Sequence, residues 1–262
     1  MSTPFPLPSR SHAGTPRRRP STTPAHTEPA ARQASLRLSA TLLLAGQLLY
    51  IVIPQLHAGG DANNHHSVFA ESAGNGIWTV VHLGQFAGMT LFVAGLLALF
   101  FALDTPAGTA GWAARFGAAA AVATLALYGL LQAADGVALK QAVTAWASAP
   151  DAEKAARFAS AEAIRWLEWG VRSYQNVALG LAVLLFAAAV VRAAWVPRPV
   201  VALMDVSGLA YLVQGTVVGS AGFSPTESIA IVAAFVLDVV WMTWLLVAAC
   251  RMREAQASRP CR

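Results

Sequence analysis

The chain has 262 residues, of which 56% are hydrophobic and only 12% are charged. A soluble globular domain carries about 25% charged residues, so this composition excludes an ordinary water-soluble protein. The formal net charge of +5 does not indicate a nucleic-acid partner. The basic residues lie in the tails and at the ends of apolar segments, where membrane topology accounts for them.

Residues 1–34 are rich in Pro, Ser, Thr and Arg and have almost no large apolar side chain after Leu7. A segment of this composition cannot bury a core, so we predict a disordered, basic cytoplasmic tail. The apolar remainder predicts a transmembrane domain over residues 35–251, followed by a short cytoplasmic tail over residues 252–262.

Several apolar segments have the length of about 20 residues that crosses a bilayer as a helix. In lipid every backbone polar group needs a partner within its own helix, which excludes open strands. The sequence therefore predicts an all-α membrane protein with six transmembrane helices. The predicted spans are residues 36–56, 77–103, 112–134, 171–195, 200–221 and 226–250.

Two polar segments separate these spans, a loop over residues 57–76 and a longer stretch over residues 135–170 that is too charged to cross a membrane. In the longer stretch, Pro150 and Asp151 indicate a helix start. Charged pairs at helical spacing then predict a helix over residues 151–169. Its apolar residues, such as Phe158 and Ile164, predict an amphipathic helix that lies at the membrane interface or caps the bundle.

Six spans place both termini on the same side of the membrane. Of the 18 Lys and Arg residues, thirteen fall on that side. The other five are Lys140, Lys154, Arg157, Arg165 and Arg172. The positive-inside rule therefore predicts an inner-membrane protein with both termini cytoplasmic and with the two polar segments facing outward. The excess persists, although smaller, when residues 1–31 are left out.

Three spans carry polar side chains near their outward ends. These residues are His82, Gln85, Gln132, Asp135, Glu168, Arg172, Gln175 and Asn176. Ionisable groups within a span usually face the bundle interior or a wet cavity and are functional. We therefore predict an outward-facing pocket for a small molecule, lipid or ion, covered by the loop and by helix 151–169. The alternative is that these groups only satisfy one another.

Four of the six histidines lie within residues 57–82. Neutral imidazole and carboxylate can bind zinc or a similar ion, which makes a metal site an alternative hypothesis. Its candidate ligands are His57, Asp61, His65, His66, Glu71 and His82. The spacing matches no known ligand motif, and adjacent histidines on a helix point in different directions. No phosphate-binding motif occurs either, so we predict no cofactor.

Asp238 lies at the midpoint of the sixth span, where an ionised carboxylate is costly. Two roles remain open: a coupling site for a proton or cation, and a carboxyl group that is hydrogen-bonded to another helix. The second role is the more routine one in membrane proteins. Residues at a similar depth that could be partners are Gln47, Thr124, Tyr211 and Gln214.

Small residues recur at helical spacing, which indicates close helix packing. Gly84 and Gly88 form a GxxxG motif, with Gly95 one heptad further. A second series on the fifth span comprises Gly208, Gly215, Gly219 and Gly222. The motif at Gly84 and Gly88 also offers a possible homo-oligomer contact, which nothing else in the sequence indicates.

Three regions resemble an uncharacterised family of bacterial six-helix integral membrane proteins. They are ANNHHSVFAE at 62–71, IWTVVHLGQFAGM at 77–89, and the runs DGVALKQAV, EKAARF and AEAIRWLE between residues 135 and 168. The resemblance covers about residues 36–250 and implies a multi-pass membrane protein. It carries over no substrate, cofactor or catalytic residue.

The sequence thus leaves three hypotheses. The first is a non-enzymatic protein that binds a ligand in the outward pocket. The second is a proton- or cation-coupled transporter that uses Asp238, although no inverted repeat is visible. The third is a metal-dependent membrane enzyme built on residues 57–82. Because no nucleophile motif such as GxSxG occurs, we favour a protein without enzymatic activity.

Overall fold

The computed structural model describes residues 27–56, 61–103, 108–193 and 195–257, and these ranges contain no β-strand. A 3-10 turn over Ile53–Leu56 extends the first helix, and a π-helical turn over Ala134–Leu139 joins α4 to α5 without a break. The helices are α1 (Thr27–Val52), α2 (His65–Gly74), α3 (Trp78–Leu103), α4 (Thr109–Ala133), α5 (Lys140–Ala147), α6 (Asp151–Val190), α7 (Arg198–Ala221) and α8 (Pro225–Ala257).

Within the described ranges, six helical segments are long and apolar enough to cross a membrane: α1, α3, the rod from α4 to α5, α6, α7 and α8. The predicted all-α, six-span fold is therefore confirmed. Each spanning helix packs against the next one in chain order: α1 against α3, α3 against α4, α4 against α6, α6 against α7, and α7 against α8. The last helix, α8, packs against α1. The spanning helices thus form a closed ring, and a closed ring leaves space at its centre.

One end of the ring is covered by residues 61–76, and we call it the cap end. Lys140 fastens the cap, because its Nζ donates to the carbonyl oxygens of Ser72, Ala73 and Asn75 at 2.6–3.0 Å. The amide of Asn63 donates to the carbonyl of Phe223 between α7 and α8. The cap is therefore tied both to the rod of α4 and α5 and to the opposite side of the ring.

The first helix begins earlier than predicted. Residues 27–34 were expected to belong to a disordered tail, but α1 starts at Thr27. The amide of Gln33 is buried and donates to the carbonyl of Ala249 on α8 at 2.9 Å. Residues near Gln33 are therefore held by a contact with a distant helix, which the composition of the segment alone does not predict. The last helix likewise continues to Ala257, past the predicted boundary at residue 251. Residues 1–26 lie outside the described ranges.

The polar stretch over residues 135–170 is also organised differently from the prediction. It does not contain a separate interfacial helix, because α6 runs without interruption over 40 residues. At 1.5 Å per residue this helix is roughly 60 Å long, twice the thickness of a hydrocarbon core. Phe158 and Ile164 pack against α2 and α5 in a small second core around Phe69 and Val143. The predicted helix 151–169 therefore caps the bundle as the first half of α6.

The predicted glycine motif brings helices of the same chain together. The site of a Cβ at Gly84 lies against Ile53, and that at Gly88 lies against Leu49 and Tyr50. The face proposed for homo-oligomerisation is therefore in contact with the first spanning helix. The second glycine series also packs inside the chain, mainly against α6.

Gly46 marks the closest approach between α1 and α3. A Cβ there would lie 2.7 Å from the carbonyl oxygen of Gly88 and 2.9 Å from Cα of Phe92, and backbone atoms cannot move aside cheaply. We expect Gly46→Ala to lower the free energy of unfolding by about 1–3 kcal/mol through overpacking.

Gly170 provides the matched control, because a Cβ there meets no atom within 4 Å. Gly170→Ala should raise the free energy of unfolding by about 0.8–1 kcal/mol, the helix-propensity gain of alanine. Denaturant titration of both variants in the same detergent measures the difference. Equal effects of the two substitutions would contradict the packing argument.

Candidate functional site

A cavity of about 340 Å³ lies inside the ring, beneath the cap. All six spanning segments contribute to its wall, and Ala62, Val68 and Glu71 cover it. Its aromatic and apolar lining residues include Tyr50, Tyr128, Phe223, Ile231 and Phe235. Its polar lining residues include Gln85, Asp135, Arg165, Arg172, Asn176 and Gln214. The cavity therefore combines an aromatic wall with a set of polar groups.

Seven of the eight residues of the predicted pocket line this cavity or contact a residue that lines it. Gln85, Asp135, Arg172 and Asn176 line it directly. His82 contacts Asp135, Gln132 contacts Gln85, and Glu168 contacts both Arg165 and Arg172. Gln175 is buried on α6 but is not one of the lining residues. The three spans thus bring their polar faces to one place, as helical periodicity on each span predicts.

Glu168 lies between two arginines and has no exposed surface. One of its carboxylate oxygens accepts a hydrogen bond from Nη1 of Arg165. Its other oxygen lies 3.5 Å from Nε of Arg172. Arg165 also reaches the carbonyl of Ala62 at 3.4 Å, so it links α6 to the cap. Glu168 is therefore the shared counter-ion of the cluster.

Arg165 was not among the predicted site residues, although its i,i+3 spacing to Glu168 was visible in the sequence. That spacing was used only to predict the helix over residues 151–169. The structure instead buries the Arg165 side chain to 5% exposure. Its guanidinium carbon lies 5.4 Å from the ring centre of Phe223. The cap and the turn before α8 bury Arg165, and for this reason the Arg165–Glu168 pair belongs to the cavity wall.

Arg172 differs from Arg165 in having unused hydrogen-bonding capacity. Its only ion pair within the described ranges is the 3.5 Å contact with Glu168, made through Nε. Nη1 and Nη2 donate to no residue that the structure describes. The side chain is 28% exposed, and its guanidinium carbon lies 5.1 Å from the ring centre of Phe223. A second carboxylate, Glu227, is buried nearby but makes no ion-pair contact with Arg172.

His82 and Asp135 join α3 to the π-helical turn. Nε2 of His82 lies 3.1 Å from Oδ2 of Asp135, and Nδ1 lies 2.8 Å from the carbonyl oxygen of Trp78. A carbonyl only accepts, so Nδ1 carries a hydrogen. The Nε2–Oδ2 contact then holds one proton, either as imidazolium with carboxylate or as imidazole with carboxylic acid.

Asp135 lies in the π-helical turn, and this turn packs against the start of α3. A π turn displaces backbone carbonyls from the regular α pattern, and such turns are frequent at functional sites. Here the carbonyl of Asp135 accepts from the indole of Trp78 at 2.9 Å. The carbonyl of Gly136 accepts from the hydroxyl of Thr79, also at 2.9 Å. The start of α3 is thus fastened to the irregular turn.

A second, smaller groove of about 240 Å³ lies on the outside of the ring between α3 and α4. It is lined by Thr79, His82, Leu83, Phe86, Gln132 and Val137, among others. Leu83 is 66% exposed, which marks this surface as lipid-facing. The Nε2 amide of Gln132 donates to Oε1 of Gln85 at 3.3 Å. Because Gln85 lines the central cavity, only a layer of side chains separates cavity and groove.

Asp238 is fully buried and accepts hydrogen bonds from three side chains. Oδ1 accepts from Ser207 and from the indole of Trp241, and Oδ2 accepts from the hydroxyl of Tyr211 at 2.6 Å. Tyr211 was one of the predicted partners, whereas Ser207 and Trp241 were not. These bonds link α8 to α7, which favours the role of an interhelical packing contact.

The other predicted partners of Asp238 are engaged differently. Gln214 donates to the carbonyl of Ala230, and Thr124 donates to the carbonyl one turn before it. The buried amide of Gln47 has no hydrogen-bond partner in the described part of the chain. A depth in the membrane similar to that of Asp238 is therefore not enough to predict a contact with it.

The candidate metal ligands are dispersed. Nδ1 of His65 lies 2.9 Å from Oε1 of Glu162, and the ring of His66 stacks on Phe158. His82 is engaged with Asp135, and Glu71 interacts with Ser67. Within the described ranges no three His, Cys, Asp or Glu residues form a group that could hold a metal. His57 lies outside those ranges. The metal-enzyme hypothesis therefore gains no site from the described residues.

In chemical terms the cavity lining offers groups that can bind a ligand through hydrogen bonds and ring contacts. It offers one guanidinium with unused donors, several amides and an aromatic wall. The hydroxyl groups on its lining belong to Tyr50 and Tyr128, whose rings are in edge contact at 5.7 Å. Comparison of the chain with protein-family models, with curated proteins and with solved structures finds no match.

Proposed function

We propose that this is a non-enzymatic membrane protein that binds a small organic molecule with an anionic group in the central cavity. The proposal rests on Arg172, which lines the cavity. Its Nη1 and Nη2 donate no hydrogen bond to any of the described residues. A guanidinium presents two parallel N–H donors that match a carboxylate or phosphate. The ligand's anionic group would take these donors.

The charges around the cavity support an anionic ligand. Glu168 is already engaged by Arg165, and Asp135 is engaged by His82. Of the two arginines in the lining, Arg172 therefore has the longer contact with Glu168. A bound anion could accept hydrogen bonds from Nη1 and Nη2 of Arg172 and add to the compensation that Glu168 provides.

The shape and lining of the cavity support an organic rather than an inorganic anion. Its volume of about 340 Å³ exceeds the space that one small ion occupies. The ring of Tyr50 contacts those of Tyr128 and Phe235 edge to face, and the three rings form an aromatic part of the cavity wall. Ligand pockets are typically apolar with a few polar groups that fix orientation.

We propose that the cap end faces away from the cytoplasm and that the protein resides in an inner membrane. The support is the excess of Lys and Arg at the end that carries both termini. In this orientation the cavity opens toward the outer half of the bilayer, where the proposed ligand is collected.

Removal of the Arg172 charge tests the proposed function. Thermal unfolding of the detergent-purified protein is followed with phenylacetate or octanoate, and with the amines phenethylamine and octylamine. The anions should stabilise the wild type, by about 2.7 kcal/mol at a hundredfold excess over Kd. Arg172→Gln should weaken anion binding by about 10- to 100-fold, since a charged hydrogen bond contributes about 1.5–3 kcal/mol. Arg172→Lys should restore part of the loss.

Arg157→Gln is the matched control, because Arg157 forms an exposed i,i+4 pair with Glu153 on the same helix. This variant should bind the anions as the wild type does. The proposal fails if the amines stabilise the protein as well as the anions do, or if Arg172→Gln binds the anions unchanged.

A further inference from the structure

We infer that the ligand is an amphiphile dissolved in the bilayer, and that it reaches the cavity sideways between α3 and α4. The passage is closed by the pairs His82–Asp135 and Gln85–Gln132, which we call the lateral gate. This inference rests on the proposed function, because it concerns the source of the ligand that the cavity binds.

Cavity and groove meet on opposite sides of the same two side-chain pairs. Asp135 and Gln85 line the central cavity, whereas His82 and Gln132 line the outer groove. Within each pair one partner belongs to the interior and the other to the lipid side. Separation of the two pairs would join the cavity to the groove.

The polarity of the gate is informative, because a wall that only excludes lipid needs no polar side chains. Ionisable and amide groups are expensive at a lipid-facing surface and are retained where they serve a pathway. Separation of the pairs would release the donors of His82 and Gln132 that now hold Asp135 and Gln85. An anionic headgroup that leaves the bilayer interface could exchange these donors for Arg172 inside, and its apolar tail would follow through the groove past Leu83 and Phe86 into the cavity.

The seam between α3 and α4 is the smaller of the contacts that each gate helix makes. Contact between α3 and α4 is much less extensive than the contact of α3 with α1 or of α4 with α6. At the seam, Gly136 in the π-helical turn provides the space for His82, since a Cβ at Gly136 would lie 2.5 Å from Cβ of His82. Opening of the gate would also break the hydrogen bonds that Trp78 and Thr79 donate to this turn.

The groove faces the lipid, and this determines which molecules can enter it. Thr79 to Val137 lie on segments that cross the membrane, and the surrounding exposed residues are apolar: Val80, Leu83, Leu130 and Val137. Only a molecule that partitions into lipid is present on this side at high concentration. A carboxylate with an alkyl chain can pass the groove from the lipid and bind Arg172 in the cavity.

Blocking the groove from the lipid side tests the gate without touching the cavity. Leu83→Trp places an indole in the groove, whereas Val80→Trp places one on the same helix outside it. The two native side chains are 66% and 68% exposed, so neither substitution should disturb the fold. Wild type and variants are reconstituted in nanodiscs, and binding of tritiated decanoate is followed over time. A parallel measurement uses tritiated succinate, which stays in water.

We expect decanoate to bind the wild type and to lose binding in Arg172→Gln. Leu83→Trp should slow association of decanoate by about tenfold with little change in Kd, because it obstructs the route and not the site. Val80→Trp should leave the rate unchanged. Succinate should not bind detectably.

The remaining outcomes separate the inference from the proposed function. Arg172-dependent binding of decanoate at the same rate in Leu83→Trp overturns the lateral gate and leaves the anion site standing. Arg172-dependent binding of succinate without decanoate overturns the amphiphile and also leaves the anion site standing. Failure of both anions to bind at millimolar concentration overturns both proposals.

Discussion

Replacement of Glu168 with alanine is expected to lower the free energy of unfolding by about 3–5 kcal/mol, because it leaves buried cations without their counter-ion. Glu168 has no exposed surface and contacts both Arg165 and Arg172. Loss of the carboxylate also frees Arg165 from its position beneath the cap, where it reaches the carbonyl of Ala62. Denaturant unfolding in detergent measures the free-energy change.

Glu153→Ala is the matched control for this prediction. Glu153 pairs with Arg157 on the same helix, but both side chains are more than half exposed. Solvent-exposed pairs of this kind contribute about 0–1 kcal/mol, so the control should be nearly neutral. Similar losses in the two variants would show that the arginine cluster is not the buried, mutually dependent unit described above.

A double variant sharpens the test. In the Arg165→Met, Glu168→Met protein, one cation and the shared anion are replaced by apolar groups of similar length. Replacement of a whole buried pair is often neutral, whereas breaking one is costly. We therefore expect this variant to be more stable than Glu168→Ala, with Arg172 still available to an anionic ligand. Lower stability than Glu168→Ala would contradict the assignment of Glu168 as the counter-ion of Arg165.

Replacement of Asp238 with alanine should cost about 2–5 kcal/mol, since three interhelical or local hydrogen bonds are lost at about 0.6–1.7 kcal/mol each. Ser207, Tyr211 and Trp241 would be left as buried donors without their acceptor. The loss should appear as a lower unfolding midpoint in detergent. Separation of α7 from α8 is the physical cause, because two of the three donors lie on α7.

Asp205→Ala serves as the control, since Asp205 is exposed and lies on the same α7. It should change the free energy of unfolding by less than about 0.5 kcal/mol.

The transporter hypothesis predicts a different result for substitution of Asp238. If Asp238→Asn keeps wild-type stability but abolishes pH-driven uptake in vesicles, the carboxyl group is a coupling site. A change in stability alone supports the packing role.

Asp238 and Arg172 lie at different depths in the ring and differ in how fully their polar groups are hydrogen-bonded. The level of Asp238 holds helices together, with each oxygen of the carboxylate accepting at least one hydrogen bond. The level of Arg172 leaves donors unused at a cavity wall, and one side of that cavity is closed by a polar seam. The unused donors of Arg172 are therefore what separates the proposed binding site from the hydrogen-bonded carboxylate of Asp238.

The sequence by itself determined the spans, because lipid forces each spanning segment to satisfy its backbone internally and to be apolar over its whole length. It also indicated that polar side chains gather toward one end of three spans, since depth follows from the rise per residue. Arg172 and Asp238 could be singled out on this basis, as charged residues in apolar surroundings.

Only the tertiary structure decided which of these groups meet. Helical periodicity defines a face on each helix, but the order of helices around the ring and their rotation depend on packing between distant segments. His82 pairs with Asp135 where the π-helical turn packs against the start of α3, and the burial of Arg165 required the cap. The first half of α6 packs against α2 and α5 through Phe158, Ala161 and Ile164. Those contacts are non-local, and no short stretch of sequence carries them.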